Sequence, residues 1–181
     1  MKKIHISDTE VQGMVLEILR QMNQDSWRPD YVVGLTRGGL VPANMISQYL
    51  NIPMETLKVS LRDERSEPES NLWMAEDAYG YFRTDDLPGC SNVHHRKNIL
   101  IVDDINDSGA TMQWIRDDWQ ANCMPTDPVW SEVWNHNVKF AVLVDNQSSE
   151  FKNIDYSGMK IDKSRDPRWI VFPWEEWWIK S

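Results

Sequence analysis

Only two of the 181 residues are cysteine, Cys90 and Cys123, and they lie far apart. Neither a disulfide framework nor a zinc site is suggested, and two reduced thiols in a cytosolic protein are expected. Long apolar runs are also missing: none approaches the roughly 20 residues that a membrane helix requires. The opening Met1-Lys2-Lys3, followed by Ile4-His5-Ile6-Ser7-Asp8, is too short and polar for a secretory signal. A cytoplasmic, soluble protein is therefore expected. Positive charge is scarce, since 19 Lys and Arg against 28 Asp and Glu leave a net charge of −9. That balance excludes a general nucleic-acid or membrane-surface binder, which needs a basic footprint. An anionic small molecule can still be held if a divalent cation and backbone amides supply local positive potential. Adjacent His94 and His95 lack a third ligand nearby and read as a solvated loop.

The remaining composition is ordinary for a globular chain, with 41% hydrophobic and 26% charged residues. A chain of this length is most simply one domain, here residues 1–181, with no internal repeat or linker. Tryptophan is unusually common, with ten in all and Trp169, Trp174, Trp177 and Trp178 in the last thirteen residues. Such clusters are normally core or interface packing, and this tail points to a homo-oligomer, most simply a dimer.

Ser7-Asp8-Thr9-Glu10 has the form of a capping box. Val11, Met14, Val15, Ile18, Leu19 and Met22 follow at helical spacing, and Trp27-Arg28-Pro29-Asp30 ends the helix. Tyr31 to Leu35 is a β-branched strand leading into Thr36-Arg37-Gly38-Gly39-Leu40-Val41-Pro42-Ala43. Two glycines directly after a buried strand permit close backbone approach to a ligand, and an arginine in the turn adds a forked donor for phosphate oxygens. A plain tight turn fits the same residues. Ala43 to Leu50 is predicted helical and Met54 to Leu61 a strand. Residues 62–96 form a long polar stretch, more often a functional lid than a structural element. Leu72-Trp73-Met74-Ala75 and Tyr79-Gly80-Tyr81-Phe82 are its candidate anchors. A helix from Met112 to about Asn122, a turn over Pro125–Pro128, a short helix over Val129–Trp134 and a buried strand over Val138–Val144 complete the pattern. Alternating strands and helices imply an α/β fold with a mostly parallel central sheet flanked by helices. Binding sites in such sheets lie at the carboxyl ends of the strands, the edge that receives Arg37, Asp103, Asp104 and Asp145.

Asn98 to Thr111 carries the most chemistry. Ile99-Leu100-Ile101-Val102 lacks alternation, as suits a strand buried on both faces. Asp103 and Asp104 then point to opposite faces, and Asp107-Ser108-Gly109-Ala110-Thr111 sits where the strand turns into a helix. Free amides at a helix start bind phosphate, Gly109 lets the chain wrap the anion, and Ser108 and Thr111 add hydroxyl donors. Carboxylates accept hydrogen bonds from paired ribose hydroxyls, and Mg²⁺ can bridge those hydroxyls to a leaving group.

The run from Ile99 to Thr111 closely resembles the phosphoribosyl-pyrophosphate signature of type I phosphoribosyltransferases. Arg37-Gly38-Gly39 resembles the pyrophosphate loop of their 6-oxopurine members, the hypoxanthine and xanthine-guanine enzymes. Trp169-Ile170-Val171-Phe172-Pro173-Trp174-Glu175 resembles the C-terminal base-binding segment of bacterial and archaeal purine enzymes. The resemblance implies the type I fold with a small base-binding hood over residues 146–181. It also implies transfer of phosphoribose from phosphoribosyl pyrophosphate to a purine base with Mg²⁺ as cofactor, in nucleotide salvage. Asp103 and Asp104 would engage the ribose hydroxyls directly or through the metal, with Glu175 as a third metal-side candidate. Asp107 would be the general acid/base, and Asp107, Ser108, Gly109, Ala110 and Thr111 would hold the 5′-phosphate. Thr36, Arg37, Gly38 and Gly39 would grip pyrophosphate, with a cis Thr36–Arg37 peptide. Trp169 would stack on the base while the Ile170 backbone meets its edge.

One position departs from the family pattern. Enzymes selecting a 6-oxo group usually carry lysine where this chain has Asp145. Asp145 as a base contact favours an amino-bearing purine, whereas a donor from Lys152 or elsewhere restores the oxopurines. A phosphoribosyl-binding regulator without chemistry and an enzyme acting on a non-purine acceptor are the other readings.

Overall fold

The computed structural model describes residues 2–59, 72–80 and 96–179. The chain opens on strand β1 (Lys2–His5) and enters helix α1 (Asp8–Gln24) at Ser7. The expected capping box is formed: Ser7 Oγ accepts the Glu10 amide at 3.2 Å, and Glu10 Oε2 accepts the Ser7 amide at 2.7 Å. The bond from the Ser7 amide draws the Glu10 carboxyl below its usual range. Strand β2 (Tyr31–Thr36), helix α2 (Leu40–Leu50) and strand β3 (Met54–Lys58) follow. Helix α2 starts earlier than Ala43 because Pro42 lies in its first turn, where a missing N–H leaves no broken bond. Helix α3 (Leu72–Tyr79), strand β4 (Ile99–Asn106), helix α4 (Ala110–Asn122), helix α5 (Trp130–Val133) and strands β5 (Val138–Asn146), β6 (Tyr156–Ile161) and β7 (Arg168–Val171) complete the order.

The central sheet runs β3-β2-β4-β5-β6 and is parallel throughout. After β3 the chain crosses back over β2 to add β4 on its other side, so the loops leaving β2 and β4 diverge. That divergence opens a crevice at the carboxyl edge. Strict alternation along β4 supplies both cores. Ile99 and Ile101 pack with Met74, Ile115, Trp119 and Trp134 beneath α3, α4 and α5. Leu100 and Val102 pack with Val15, Ile18 and Ile46 beneath α1 and α2. Tryptophans fill the first layer: Trp130 and Trp134 stack at 5.3 Å, and Trp119 lies 6.1 Å from Trp134. Cys123 is a free, buried thiol.

Three strands, β1, β6 and β7, have no counterpart in the sequence reading. β6 extends the central sheet, and β1 pairs in parallel with β7 as a separate two-stranded sheet. The C-terminal segment expected as a hood over 146–181 is thus divided. Tyr156–Ile161 belongs to the main sheet, and the N-terminal strand completes the ribbon carrying Trp169 and Ile170. None of these short strands has a long apolar run; β1 and β7 pair from opposite ends of the chain, and β6 pairs with the preceding β5.

The lid expected over 62–96 lies outside the described residues except for 72–80 and Arg96, as do His94, His95, Tyr81, Phe82 and Cys90. Within the described part, α3 buries Met74, Ala75, Ala78 and Tyr79, while Leu72 and Trp73 are exposed. Buried Asp77 accepts the Tyr31 hydroxyl at 3.0 Å and meets Lys97 Nζ at 3.4 Å. Burial first, and the Asp77 charge second, drive the Tyr31 hydroxyl pKa far upward. No helix among the described residues is long and apolar enough to cross a membrane. Trp119 is fully buried, so Trp119→Ala is expected to cost about 3–5 kcal/mol, measurable as a lower urea midpoint with an unchanged slope.

Candidate active site

A cleft of about 240 Å³ opens at the carboxyl edge of β4. Asp103 to Gly109 form its floor, and Thr111 and Met112 in α4 close one side. Lys163, Trp169, Ile170, Phe172 and Glu175 form the opposite wall. The first and last of the predicted motifs, distant in sequence, therefore face one another.

The glycine turn abuts the carboxylate pair from the β2 side. The Thr36–Arg37 peptide is cis, and Arg37 is exposed. A Cβ on Gly38 would lie 2.0 Å from Asp104 Oδ2, and one on Gly39 would lie 2.2 Å from the Val102 carbonyl oxygen. Only glycine lets this turn lie against the end of β4.

Asp103 and Asp104 share that strand end, and Asp103 Oδ1 accepts the Asp104 amide at 2.9 Å. Desolvation, followed by the neighbouring Asp104 charge, pushes the Asp103 carboxyl well up. Desolvation also raises Asp104 to about 6, with Glu175 adding repulsion. Among the described residues no three His, Cys, Asp or Glu side chains are disposed to hold a metal by themselves. The adjacent pair is nevertheless a hard-oxygen donor set burdened with unbalanced negative charge. That fits Mg²⁺, which is commonly held by one or two carboxylates together with substrate oxygens. Glu175 does not complete a three-carboxylate cluster, and its Oε2 accepts the Phe172 amide at 2.9 Å.

Gly109 turns the chain from β4 into α4 with φ +90°, and a Cβ there would lie 2.5 Å from the Phe151 nitrogen. No side chain caps α4, so its first turn offers amides to an anion. Ser108 Oγ accepts the Ala110 amide at 3.3 Å. Asp107 projects beside this turn and forms an ion pair with Lys163 Nζ at 2.9 Å. Trp169 is 46% exposed at the cleft mouth, whereas Ile170 behind it is buried.

Asp145 stands apart from this group and does not line the cleft. Its oxygens accept Asn106 Nδ2 at 2.9 Å and Gln147 Nε2 at 2.8 Å. Asn106, buried at the end of β4, thus holds the carboxylate expected as a base contact. Lys152 is likewise directed elsewhere and donates to the Gln147 carbonyl at 2.7 Å. Asn106, Asn146 and Lys163 are the site-side residues that sequence reasoning missed. The two asparagines each close a buried strand, which is a usable signal. Lys163 lies in the charged run Asp162-Lys163-Ser164-Arg165-Asp166, which reads only as a solvated loop.

The sequence profile of the phosphoribosyl transferase domain matches residues 4–178. Xanthine phosphoribosyltransferase 1 of Saccharomyces cerevisiae is 22% identical, covering 96% of this chain and 90% of its own. Hypoxanthine-guanine phosphoribosyltransferase of Schizosaccharomyces pombe is 24% identical, covering 83% and 79%. Among solved structures, a purine phosphoribosyltransferase from Pyrococcus horikoshii superposes with a TM-score of 0.63 at 23% identity, covering 97% of this chain and 95% of that one. At that identity the superposition speaks for the fold.

The raised carboxyls have a consequence for the ligand-free protein. A carboxyl whose pKa rises from its usual 3.8 to about 6 on folding binds its proton more tightly in the native state. Stability is therefore lost as pH rises from about 4 to about 6, and the penalty persists above that range. Asp104→Asn is expected to stabilise the ligand-free protein at pH 7 by on the order of 1–2 kcal/mol. The advantage over wild type should shrink toward pH 4, as followed by thermal melts across that range.

Proposed function

The chain belongs to the phosphoribosyl transferase domain family, and from that membership we propose that it transfers the 5-phosphoribosyl group from phosphoribosyl pyrophosphate to a purine base. Pyrophosphate is released, and the reaction serves nucleotide salvage in the cytoplasm. The observation that carries this reading is one cleft joining the Asp103–Asp104 pair, the uncapped start of α4 and the half-exposed Trp169. The relatives named for xanthine and for hypoxanthine-guanine transfer favour an oxopurine acceptor.

The amides from Ser108 to Thr111, with the Ser108 and Thr111 hydroxyls, bind the 5′-phosphate at the helix start. Asp103 and Asp104 accept hydrogen bonds from the ribose hydroxyls. The turn Thr36 to Gly39 receives the pyrophosphate with its backbone and the Arg37 guanidinium. Asp103 and Asp104 are the residues that would hold Mg²⁺, which when bound would supply neutralisation of the charge on pyrophosphate. Trp169 stacks on the base, an interaction worth roughly 1–3 kcal/mol in nucleic-acid complexes, and the Ile170 backbone meets the base edge. As the base nitrogen attacks C1 of an oxocarbenium-like ribose, the Asp107 carboxylate takes the proton that the nitrogen releases. A homo-oligomer, most simply a dimer, remains our reading of the exposed Trp177 and Trp178.

The reading is tested by assaying pyrophosphate release with each common purine and pyrimidine. Turnover with at least one oxopurine is expected, abolished by EDTA and restored by Mg²⁺. Release with no base would make the protein a phosphoribosyl-binding regulator. Asp107→Ala should lower kcat by about 10²–10⁴-fold. Trp169→Ala should raise KM for the base by about tenfold or more, and unchanged kinetics would point to a non-purine acceptor.

A further inference from the structure

Asp107 occupies an exposed turn, and its side chain is 48% exposed. Nothing in the β4–α4 connection itself restrains it. The restraint arrives from two other parts of the chain. Asn146, buried at the end of β5, donates from Nδ2 to the Asp107 carbonyl oxygen at 3.0 Å and, more weakly, to Oδ1 at 3.4 Å. Lys163, from the loop after β6, places Nζ 2.9 Å from the same Oδ1, with its side chain only 18% exposed. These two residues are themselves joined, because the Lys163 amide donates to Asn146 Oδ1 at 3.0 Å. The Ser148 amide and hydroxyl fill the rest of that oxygen at 3.2 and 2.8 Å.

We infer that Asn146 and Lys163 are positioning residues that clamp the Asp107 carboxylate in its working orientation, an inference that rests on the function proposed above. The clamp engages Oδ1 and leaves Oδ2 to receive the proton from the attacking base. Asp103, Asp104 and Glu175, from β4 and from beyond β7, are the other charged groups lining the cleft. All are acidic, so Lys163 is the one cation lining it among the described residues. Without that ammonium, Asp107 would face like charges on its cleft side and swing toward solvent. The clamp also couples two halves of the site, since the loop bearing Lys163 runs directly into β7 and Trp169.

The experiment compares Lys163→Met, Lys163→Arg and Asn146→Ala in steady-state kinetics, each alone and in an Asp107→Ala background. Lys163→Met is expected to lower kcat about tenfold or more, within the range of general-base effects, with KM for phosphoribosyl pyrophosphate changed less than about twofold. Lys163→Arg should recover most of the loss. In the Asp107→Ala background Lys163→Met and Asn146→Ala should have no further effect, because residues acting through one group are non-additive. Thermal melts select variants that remain folded. An unchanged kcat in Lys163→Met overturns the inference, as does a further loss in the Asp107→Ala background. If the wild type turns over no base, the proposed function fails separately. The clamp is then read from the crystal structure of Lys163→Met: an Asp107 side chain turned out to solvent supports it, and an unchanged orientation refutes it.

Discussion

The site depends on one constraint: β4 is paired on both edges and covered on both faces. A strand held in that way has no freedom of register or tilt, because a one-residue slip would exchange its two cores. Asp103 and Asp104 therefore emerge at a fixed height, beside β2 on one side and β5 on the other. The glycine turn from β2 closes to within contact of Asp104, and α4 departs with its uncapped end toward the cleft. Every functional group on the floor is located by that buried strand.

The carboxylate pair shows the tension between folding and activity. Withdrawal from water pushes both carboxyls upward, with the Asp104 charge adding to the rise at Asp103 and the Glu175 charge adding to the rise at Asp104. A chain selected for stability alone has no reason to keep that arrangement. Under the function proposed above, a metal-bound polyphosphate would bring the missing positive charge. The acidic net charge of the whole protein is no obstacle, because local amides and a cation set the potential where the ligand sits.

The wall opposite is assembled on a different principle. Trp169 belongs to a strand that pairs, among the described residues, with β1 alone, from the other end of the chain. Lys163 and Asn146 meet through backbone and side-chain bonds that join the β6–β7 loop to the end of β5. These are long-range pairings of short segments, so the wall is less deeply supported than the floor. That difference suits the two ligands: the sugar phosphate needs fixed donors, whereas the base needs a face that admits and releases it.

Much of this was legible in the residues. The unalternating Ile99–Val102 run, the acids after it and the glycine–hydroxyl turn specify a buried strand feeding an anion site through local chemistry. The α1 stripe and its capping box were equally plain, because helical period and cap geometry act within a few residues. The sequence by itself determined the parallel α/β class and the buried strand, acidic pair and glycine turn that form the cleft floor. Only the tertiary structure decided that β6 joins the main sheet and that β1 completes the C-terminal ribbon. It also decided that Asn106 draws Asp145 out of the cleft while Lys163 enters it. Those outcomes turn on which remote partner satisfies a hydrogen bond or a charge, and no local pattern encodes that choice.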